Sequence, residues 1–203
     1  MHSGRAVDQH VTLRGHLLNT NPADWDLRGN IALQTWDKVV LQEQSDEPLS
    51  LRPGLASNPA RFNNYVDKIT EYLKSGTLAT WRERDYYAGA TNTEKTANCV
   101  AISGASSTGC NAQRGTAVSP DSNFLLPVNP NASASTEVFL YQTWARPDMN
   151  YPADKPYSGE PLETMANDLV DAYDVAALAN PVVAGVVPVG EAFMRAVVTG
   201  VAM

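Results

Sequence analysis

A short apolar run near residue 40 ends abruptly in side chains that could do chemistry. The run VVL (39–41) is followed by Gln42, Glu43, Gln44 and Ser45. Ligands and catalytic groups gather at the carboxyl ends of parallel strands, so Gln42 and Glu43 are candidates for substrate contacts. Ser45 lacks the GxSxG context of a nucleophile elbow. The alternative is a polar junction whose side chains only cap the backbone, and Glu43 fits that role better than the role of a base.

A second apolar run ends in an aromatic and a cationic side chain. The segment "EVFLYQTW" (137–144) ends at Trp144, and Arg146 follows. Together they could provide an apolar wall and a cation for a carbonyl or carboxylate group, so we predict that both bind substrate. The alternative is a ring packed on the sheet and an arginine that is solvated or paired with Asp148.

The remaining candidate groups have simpler explanations. Glu191 follows the run "VVAGVVPVG" (182–190) and opens a helix, where a carboxylate interacts favourably with the helix dipole. His10 and His16 could act as bases only if they reached the crevice formed by the strand ends. Neither a CxxC pair nor clustered histidines provide a zinc site, and we expect no cofactor.

The elements that must position these residues alternate between strands and helices. Short apolar runs with sharp polar ends predict strands at 36–42, 137–144 and 182–190. Apolar residues at helical spacing predict helices at 58–74, 162–179 and 191–200. The order predicts an α/β fold, a parallel sheet with helices on both faces, in which the polar strand ends form one crevice.

Length and charge limit the classes of protein and partner. The 203 residues predict one domain, and 15 basic against 22 acidic residues give a net charge of −7. Without a basic cluster, we expect neither a nucleic-acid partner nor an anionic membrane surface. No apolar run reaches the length of about eighteen residues that a membrane span needs, and the first residues do not resemble a signal peptide.

The segment 88–136 differs from the rest of the chain in composition. It is rich in Ala, Ser, Thr, Asn and Gly, which predicts a long polar surface insertion rather than a second domain. Cys99 and Cys110 lie within it, and they could form a disulfide or remain as two thiols. A disulfide would favour an oxidising compartment.

Three segments of the chain resemble, in their order and spacing, a little-characterised branch of the SGNH (GDSL-like) hydrolase superfamily. They are "WDKVVLQEQSDEPLS", "EVFLYQTWARPD" and "VVPVGEAFMRAV". The resemblance covers most of the chain outside the insertion. It implies a three-layer flavodoxin-like fold and serine-type hydrolysis of a carboxylic ester, such as an acetyl ester, a short acyl ester or a lactone. The expected partner is then a small-molecule or carbohydrate ester.

The resemblance also implies roles for individual residues. Gln44 lies where the superfamily has the asparagine of its oxyanion hole, and a glutamine amide can donate the same hydrogen bond. Gly4 would be the glycine donor that precedes the first helix. Trp144 and Arg146 would line the crevice, and Glu191 would lie beside it.

The chain departs from the superfamily pattern at both ends. No GDS or GNS turn precedes Gly4, no DxxH motif is present, and no histidine follows His16. We therefore expect the chain to be the middle of a hydrolase, with the serine, the base and any export leader outside it. A secreted or periplasmic parent protein would be compatible with a disulfide, although the compartment stays open.

Two other hypotheses and one physical consequence follow from the same departures. A non-catalytic domain of this fold could bind a carbohydrate or an acylated ligand. A secreted structural or adhesive protein would fit only the composition of the insertion.

In the superfamily the strand at 36–42 pairs with a first strand that this chain lacks, so we expect an open sheet edge and self-association through it.

Overall fold

The computed structural model of the chain describes residues 13–18, 27–43, 46–114 and 128–201. The helices within these ranges are α1 (Leu13–Leu18), α2 (Leu27–Ile31), α3 (Pro59–Ser75), α4 (Asn92–Ser103), α5 (Ser107–Asn111), α6 (Leu162–Ala179) and α7 (Val189–Val198). The strands are β1 (Lys38–Gln42), β2 (Trp81–Arg82), β3 (Gln113–Arg114), β4 (Glu137–Tyr141) and β5 (Val183–Val187). No helix in the described part of the chain is long and apolar enough to cross a bilayer.

Three parallel strands form the main sheet, in the order β1-β4-β5. β1 pairs with β4 from Lys38 opposite Glu137 to Gln42 opposite Tyr141. β4 pairs with β5 in the same direction, and Val187 lies opposite Tyr141. Because the strands are parallel, their last residues lie at one end of the sheet. We call this end, defined by Gln42, Tyr141 and Val187, the carboxyl edge.

Helix α3 begins and ends where the sequence predicts. The Oδ1 atom of Asn58 accepts a hydrogen bond from the backbone N of Arg61 at 3.0 Å, and Pro59 lies in the first turn. Gly76 ends the helix with a φ of 80°, and a Cβ atom there would lie 2.6 Å from the carbonyl oxygen of Asn129. The helix predicted at 58–74 is therefore confirmed.

The main core lies between one face of the sheet and helices α1, α3 and α6. The buried side chains of α3 recur at helical spacing: Phe62, Tyr65, Val66, Ile69, Tyr72 and Leu73. They belong to one cluster with residues of the sheet and of α6: Leu41, Val138, Leu140, Met165, Leu169 and Tyr173. Burying one such side chain stabilises the fold by about 1.5–3 kcal/mol, so these contacts hold α3 and α6 against the same face.

The opposite face of the sheet is less buried. Because side chains alternate along a strand, this outer face consists of Lys38, Val40, Gln42, Phe139, Tyr141 and Val187. Val40 is 53% exposed, and Phe139, Tyr141 and Val187 are half-buried. None of these four apolar side chains belongs to the core cluster. The α/β class with a parallel sheet is thus confirmed, whereas helices on the outer face stay a prediction.

The polar insertion contains regular structure that its composition did not predict. Helix α4 begins with a capping box, in which Thr91 Oγ1 accepts from Glu94 N at 3.2 Å and Glu94 Oε2 accepts from Thr91 N at 3.0 Å. A disulfide joins Cys99 of α4 to Cys110 of α5, with their Cα atoms 6.1 Å apart. The alternative of two free thiols is therefore wrong.

The insertion packs on the amino-terminal end of α3. Tyr87 forms a small buried cluster with Cys99 and Cys110, and Ala60 of α3 contacts this cluster. The amide of Asn58 donates to the hydroxyl of Tyr87 at 2.9 Å, and β2 pairs with β3 in antiparallel fashion. The antiparallel pairing of β2 with β3 and this side-chain cluster are among the contacts that connect the insertion to the main body.

A buried carboxylate links three parts of the molecule. Glu83 Oε1 accepts from the hydroxyl of Tyr65 and from the Nε atom of Arg14, both at 2.8 Å. Arg114 Nε lies 3.2 Å from the same oxygen. Burying a carboxylate is costly unless it is paired and hydrogen-bonded, and here α1, α3 and β3 each provide one partner.

Candidate active site at the carboxyl edge

Gln142 connects the end of β4 to the turn between β5 and α7. Its backbone N donates to the carbonyl oxygen of Val187 at 3.1 Å, which continues the β4–β5 pairing. Its carbonyl oxygen accepts from Gly190 N at 3.1 Å, and its Oε1 atom accepts from Glu191 N at 2.9 Å. Backbone N–H groups at the start of a helix lack partners within the helix, so Gln142 satisfies two of them and holds α7 in place.

Gly190 brings this helix into close approach with Gln142 and Thr143, the residues that follow β4. A Cβ atom at position 190 would lie 2.1 Å from the carbonyl oxygen of Thr143 and 3.1 Å from Gln142 Oε1. Real Cβ atoms do not approach backbone that closely, so any side chain would push α7 away from β4. The glycine in "PVGEA" is therefore required by packing at the carboxyl edge.

Glu43 holds the first helix at the same edge. It follows β1 directly, its side chain is buried, and its Oε2 atom accepts from Leu13 N at 2.9 Å. A carboxylate that accepts from the first N–H group of a helix acts as a cap. The sequence predicted Glu43 as a substrate contact, and this hydrogen bond occupies one of its oxygens. Gln42, predicted for the same role, lies on the exposed outer face.

Tyr173 of α6 lies beneath the strand ends. Its side chain is fully buried, and its ring packs edge-on against Phe62 with the centroids 5.3 Å apart. Burial raises the pKa of the Tyr173 phenol above its ordinary value, and the negative charge of Glu43 acts in the same direction. A neutral phenol thus lies close to Glu43, below the crevice rather than in it.

The side chain of Trp144 is accessible, although the residues before and after it in the chain are buried. Thr143 and Ala145 are buried, whereas Trp144 is 38% exposed. Its ring lies against that of Phe193 in α7, with centroids 5.7 Å apart and planes tilted by 37°. Phe193 is itself 43% exposed. The two rings form an accessible apolar surface beside the carboxyl edge.

Arg146 is paired with Asp148, as one of the two sequence hypotheses predicted. Its Nη2 atom lies 2.6 Å from Asp148 Oδ2, and its Nε atom donates to Oδ1 at 3.2 Å. This hydrogen bonding holds the pKa of Asp148 below its ordinary value. Both side chains are substantially exposed, so solvent weakens the pair and leaves the guanidinium accessible.

Several predicted site residues lie outside the described residues. These are the two proposed oxyanion donors, Gly4 and Gln44, together with Ser45, His2 and His10. His16 lies on α1, the helix whose first residue bonds to Glu43. The structure therefore places Trp144, Arg146 and Glu43 and leaves the oxyanion donors as predictions from the resemblance.

Two residues that shape this edge, Phe193 and Tyr173, are not predicted as site residues from the sequence. Phe193 was included in the last helix, but its contact with Trp144 depends on how α7 packs against β4. Tyr173 was identified only as a core residue of α6. The sequence did contain a signal for Phe193. This residue lies one turn into a helix that begins directly after a strand, and such helices begin at the carboxyl edge of the sheet.

The arrangement offers accessible groups suited to binding rather than a recognisable triad. Within the described ranges, no group of three or more His, Cys, Asp or Glu side chains is placed to hold a metal ion. The accessible groups beside the edge are two aromatic rings and one guanidinium, which could contact the apolar part and the carbonyl group of a bound ester.

Comparisons with models of protein families, with curated proteins and with solved structures found no match to this chain.

Proposed function

We propose that the carboxyl edge is part of the catalytic crevice of an SGNH-like hydrolase that cleaves a carboxylic ester. One observation carries this proposal. The ends of β4 and β5 are joined by the hydrogen bonds of Gln142 to Gly190 and Glu191, and β1 ends beside them at Glu43. The three segments that carry the resemblance therefore meet at one edge, as a shared crevice requires.

The proposed roles of Gly4 and Gln44 follow from the resemblance, and those of Trp144 and Arg146 follow from their accessibility. Gln44 and Gly4 would donate hydrogen bonds to the oxyanion, while Trp144 and Arg146 would contact the substrate. A serine would attack the ester carbonyl as a base takes its proton, and the ester C–O bond would break as the base returns that proton to the leaving alcohol. Water would then hydrolyse the acyl-serine and release a carboxylic acid. The described residues do not identify which serine and which base take these roles.

The same proposal includes a three-layer fold and a covered sheet edge. Parallel sheets are normally buried on both faces, yet Val40, Phe139 and Val187 are half-buried or exposed on the outer face. A second helical layer over this face would bury them. A further strand beside β1 would complete its hydrogen bonds.

Hydrolysis of 4-nitrophenyl acetate by the 203-residue chain tests the proposed activity. We expect release of 4-nitrophenol above the buffer rate, because an oxyanion hole and a binding site alone retain about 10³-fold catalysis when a triad member is missing. A folded sample that gives only the buffer rate would contradict the proposal.

One observation favours a second candidate, a binding domain of the same fold. The accessible pair Trp144 and Phe193 is suited to a ligand, whereas no nucleophile is identified among the described residues. Calorimetry with acetylated and unacetylated glycosides separates the two functions. Binding without turnover would support the binding domain, and turnover would exclude it.

A further inference from the structure

Both rings of the aromatic pair at the carboxyl edge belong to well-packed segments. Trp144 lies between the buried residues Thr143 and Ala145, and the next backbone N, that of Arg146, lies 3.4 Å from Met165 Sδ in the core. Its exposure therefore does not arise from a loosely held loop.

Phe193 is held equally well. It lies one turn into α7, whose first N–H groups bond to Gln142 and whose Gly190 contacts β4 directly. Large aromatic side chains lose little conformational entropy when they bind, because few bonds rotate. A fixed, accessible pair of rings is thus preorganised for a ligand.

The surroundings of the rings indicate the chemical class of that ligand. Charged groups lie close to Trp144 along the chain, since Arg146 follows it by two residues and pairs with Asp148. Acyl chains are usually held in enclosed apolar clefts, whereas both rings here are roughly 40% exposed. A pyranose ring combines an apolar C–H face with hydroxyl groups around its rim.

We propose that Trp144 and Phe193 form a platform that binds the pyranose ring of a carbohydrate. This proposal rests on the proposed function, because it takes the carboxyl edge to be a substrate site. The C–H face of the sugar packs on the electron-rich faces of the rings. Its hydroxyl groups accept from Arg146 and donate to Asp148. The ester that the site takes is then an acylated glycoside.

Titration followed by the indole N–H signals of the tryptophans tests the platform. The probes are methyl β-D-glucopyranoside, its 6-O-acetyl ester, and ethyl butyrate as a linear ester. Trp144→Tyr identifies the signal of Trp144. We expect both glycosides to shift that signal, and Trp144→Ala or Phe193→Ala to raise their Kd about tenfold. Trp144→Tyr should retain affinity within about threefold because a ring remains.

Tyr151→Ala is the matched control, because Tyr151 is 77% exposed and, among the described residues, Trp144 forms its ring contact with Phe193 rather than with Tyr151. We expect it to leave Kd unchanged. The proposal is overturned if the glycosides leave the Trp144 signal unshifted, if only ethyl butyrate shifts it, or if Tyr151→Ala weakens binding as much as Trp144→Ala.

The unacetylated glycoside separates this proposal from the proposed function. Binding of both glycosides without hydrolysis of the acetyl ester would support the platform and contradict the hydrolase. Hydrolysis of the acetyl ester with a KM that Trp144→Ala leaves unchanged would support the hydrolase and overturn the platform.

Discussion

At the scale of single residues, the buried side chain of Gln142 and the missing side chain of Gly190 together fix the position of α7 at the carboxyl edge. The side chain and backbone of Gln142 accept from two consecutive N–H groups of α7, at Gly190 and Glu191. This arrangement requires the helix to approach β4 so closely that position 190 has no room for a Cβ atom. The pair therefore acts as a positioning device that sets where Phe193 lies.

Gly190→Ala should destabilise the protein by about 3 kcal/mol, because the new methyl group meets the carbonyl oxygen of Thr143 rather than a flexible side chain. Chemical denaturation measures the change. Gly185→Ala is the matched control, since its Cβ would lie 4.0 Å from Phe139 Cδ1, an ordinary contact. A loss below about 1 kcal/mol for both variants would show that the close approach is not required.

The sequence identified some residues of this edge and missed others for a physical reason. Trp144 and Arg146 were found because an aromatic and a cationic residue follow an apolar run. Which residues they contact could not be predicted, since the contacts with Phe193 and Asp148 depend on helix packing and on the path of a loop. Whether Arg146 lines a pocket or pairs with Asp148 is decided by the path of the loop, which the sequence does not give.

At the scale of elements, local signals predicted α3 and α6 almost to the residue. α3 has a cap, a proline in its first turn and a terminating glycine, and α6 extends from Leu162 to Ala179, as predicted at 162–179. α4 was missed because its composition lacks apolar residues at helical spacing. Its formation depends on a capping box and on the disulfide to α5, and neither contributes to hydrophobic periodicity.

Stability should depend on pH through the cap of α4. Hydrogen bonds from the backbone N–H groups of Thr91 and Ala90 lower the pKa of Glu94 from its ordinary value of 4.5. The contribution of its charged form is therefore complete above pH 4.5 and is lost as the pH falls through the lowered pKa.

Denaturation of the wild type and of Glu94→Gln at a series of pH values tests this dependence. We expect the wild type to be more stable at neutral pH, and the difference to shrink as the pH falls below 4.5. A difference that stays constant across this range would contradict the assignment of the effect to Glu94.

At the scale of the whole molecule, the sheet has one buried face and one partly exposed face. The sequence predicted three parallel strands, because polar residues end each apolar run, but it did not predict their order β1-β4-β5 within the sheet. It did not predict that the described helices of the core gather on one face. Hydrophobic periodicity shows that a strand is buried, but it does not show which element covers each side.

Self-association through β1 is a further prediction at this scale. Within the described residues β1 pairs only with β4, so its other side has unpaired backbone groups, and Val40 beside it is 53% exposed. We expect light scattering to show a mass that rises with protein concentration. Val40→Lys should reduce the effect, because a charge at an edge opposes strand pairing.

Leu178→Lys provides the control for this change of charge, since Leu178 is 83% exposed and lies on helix α6 rather than on a strand of the sheet. It should leave the concentration dependence unchanged. A sharp monomer peak for the wild type at all concentrations would count against association through the edge.

The most direct test of the proposed hydrolase compares the rates at which the wild type, Gln44→Ala and Gln34→Ala hydrolyse 4-nitrophenyl acetate. Gln34 is an exposed glutamine in a turn, so Gln34→Ala controls for loss of an amide elsewhere. If Gln44 donates to the oxyanion, the rate above buffer should fall about a hundredfold in Gln44→Ala and stay unchanged in Gln34→Ala. Equal rates for all three folded proteins, or rates no higher than that of buffer, would contradict the account.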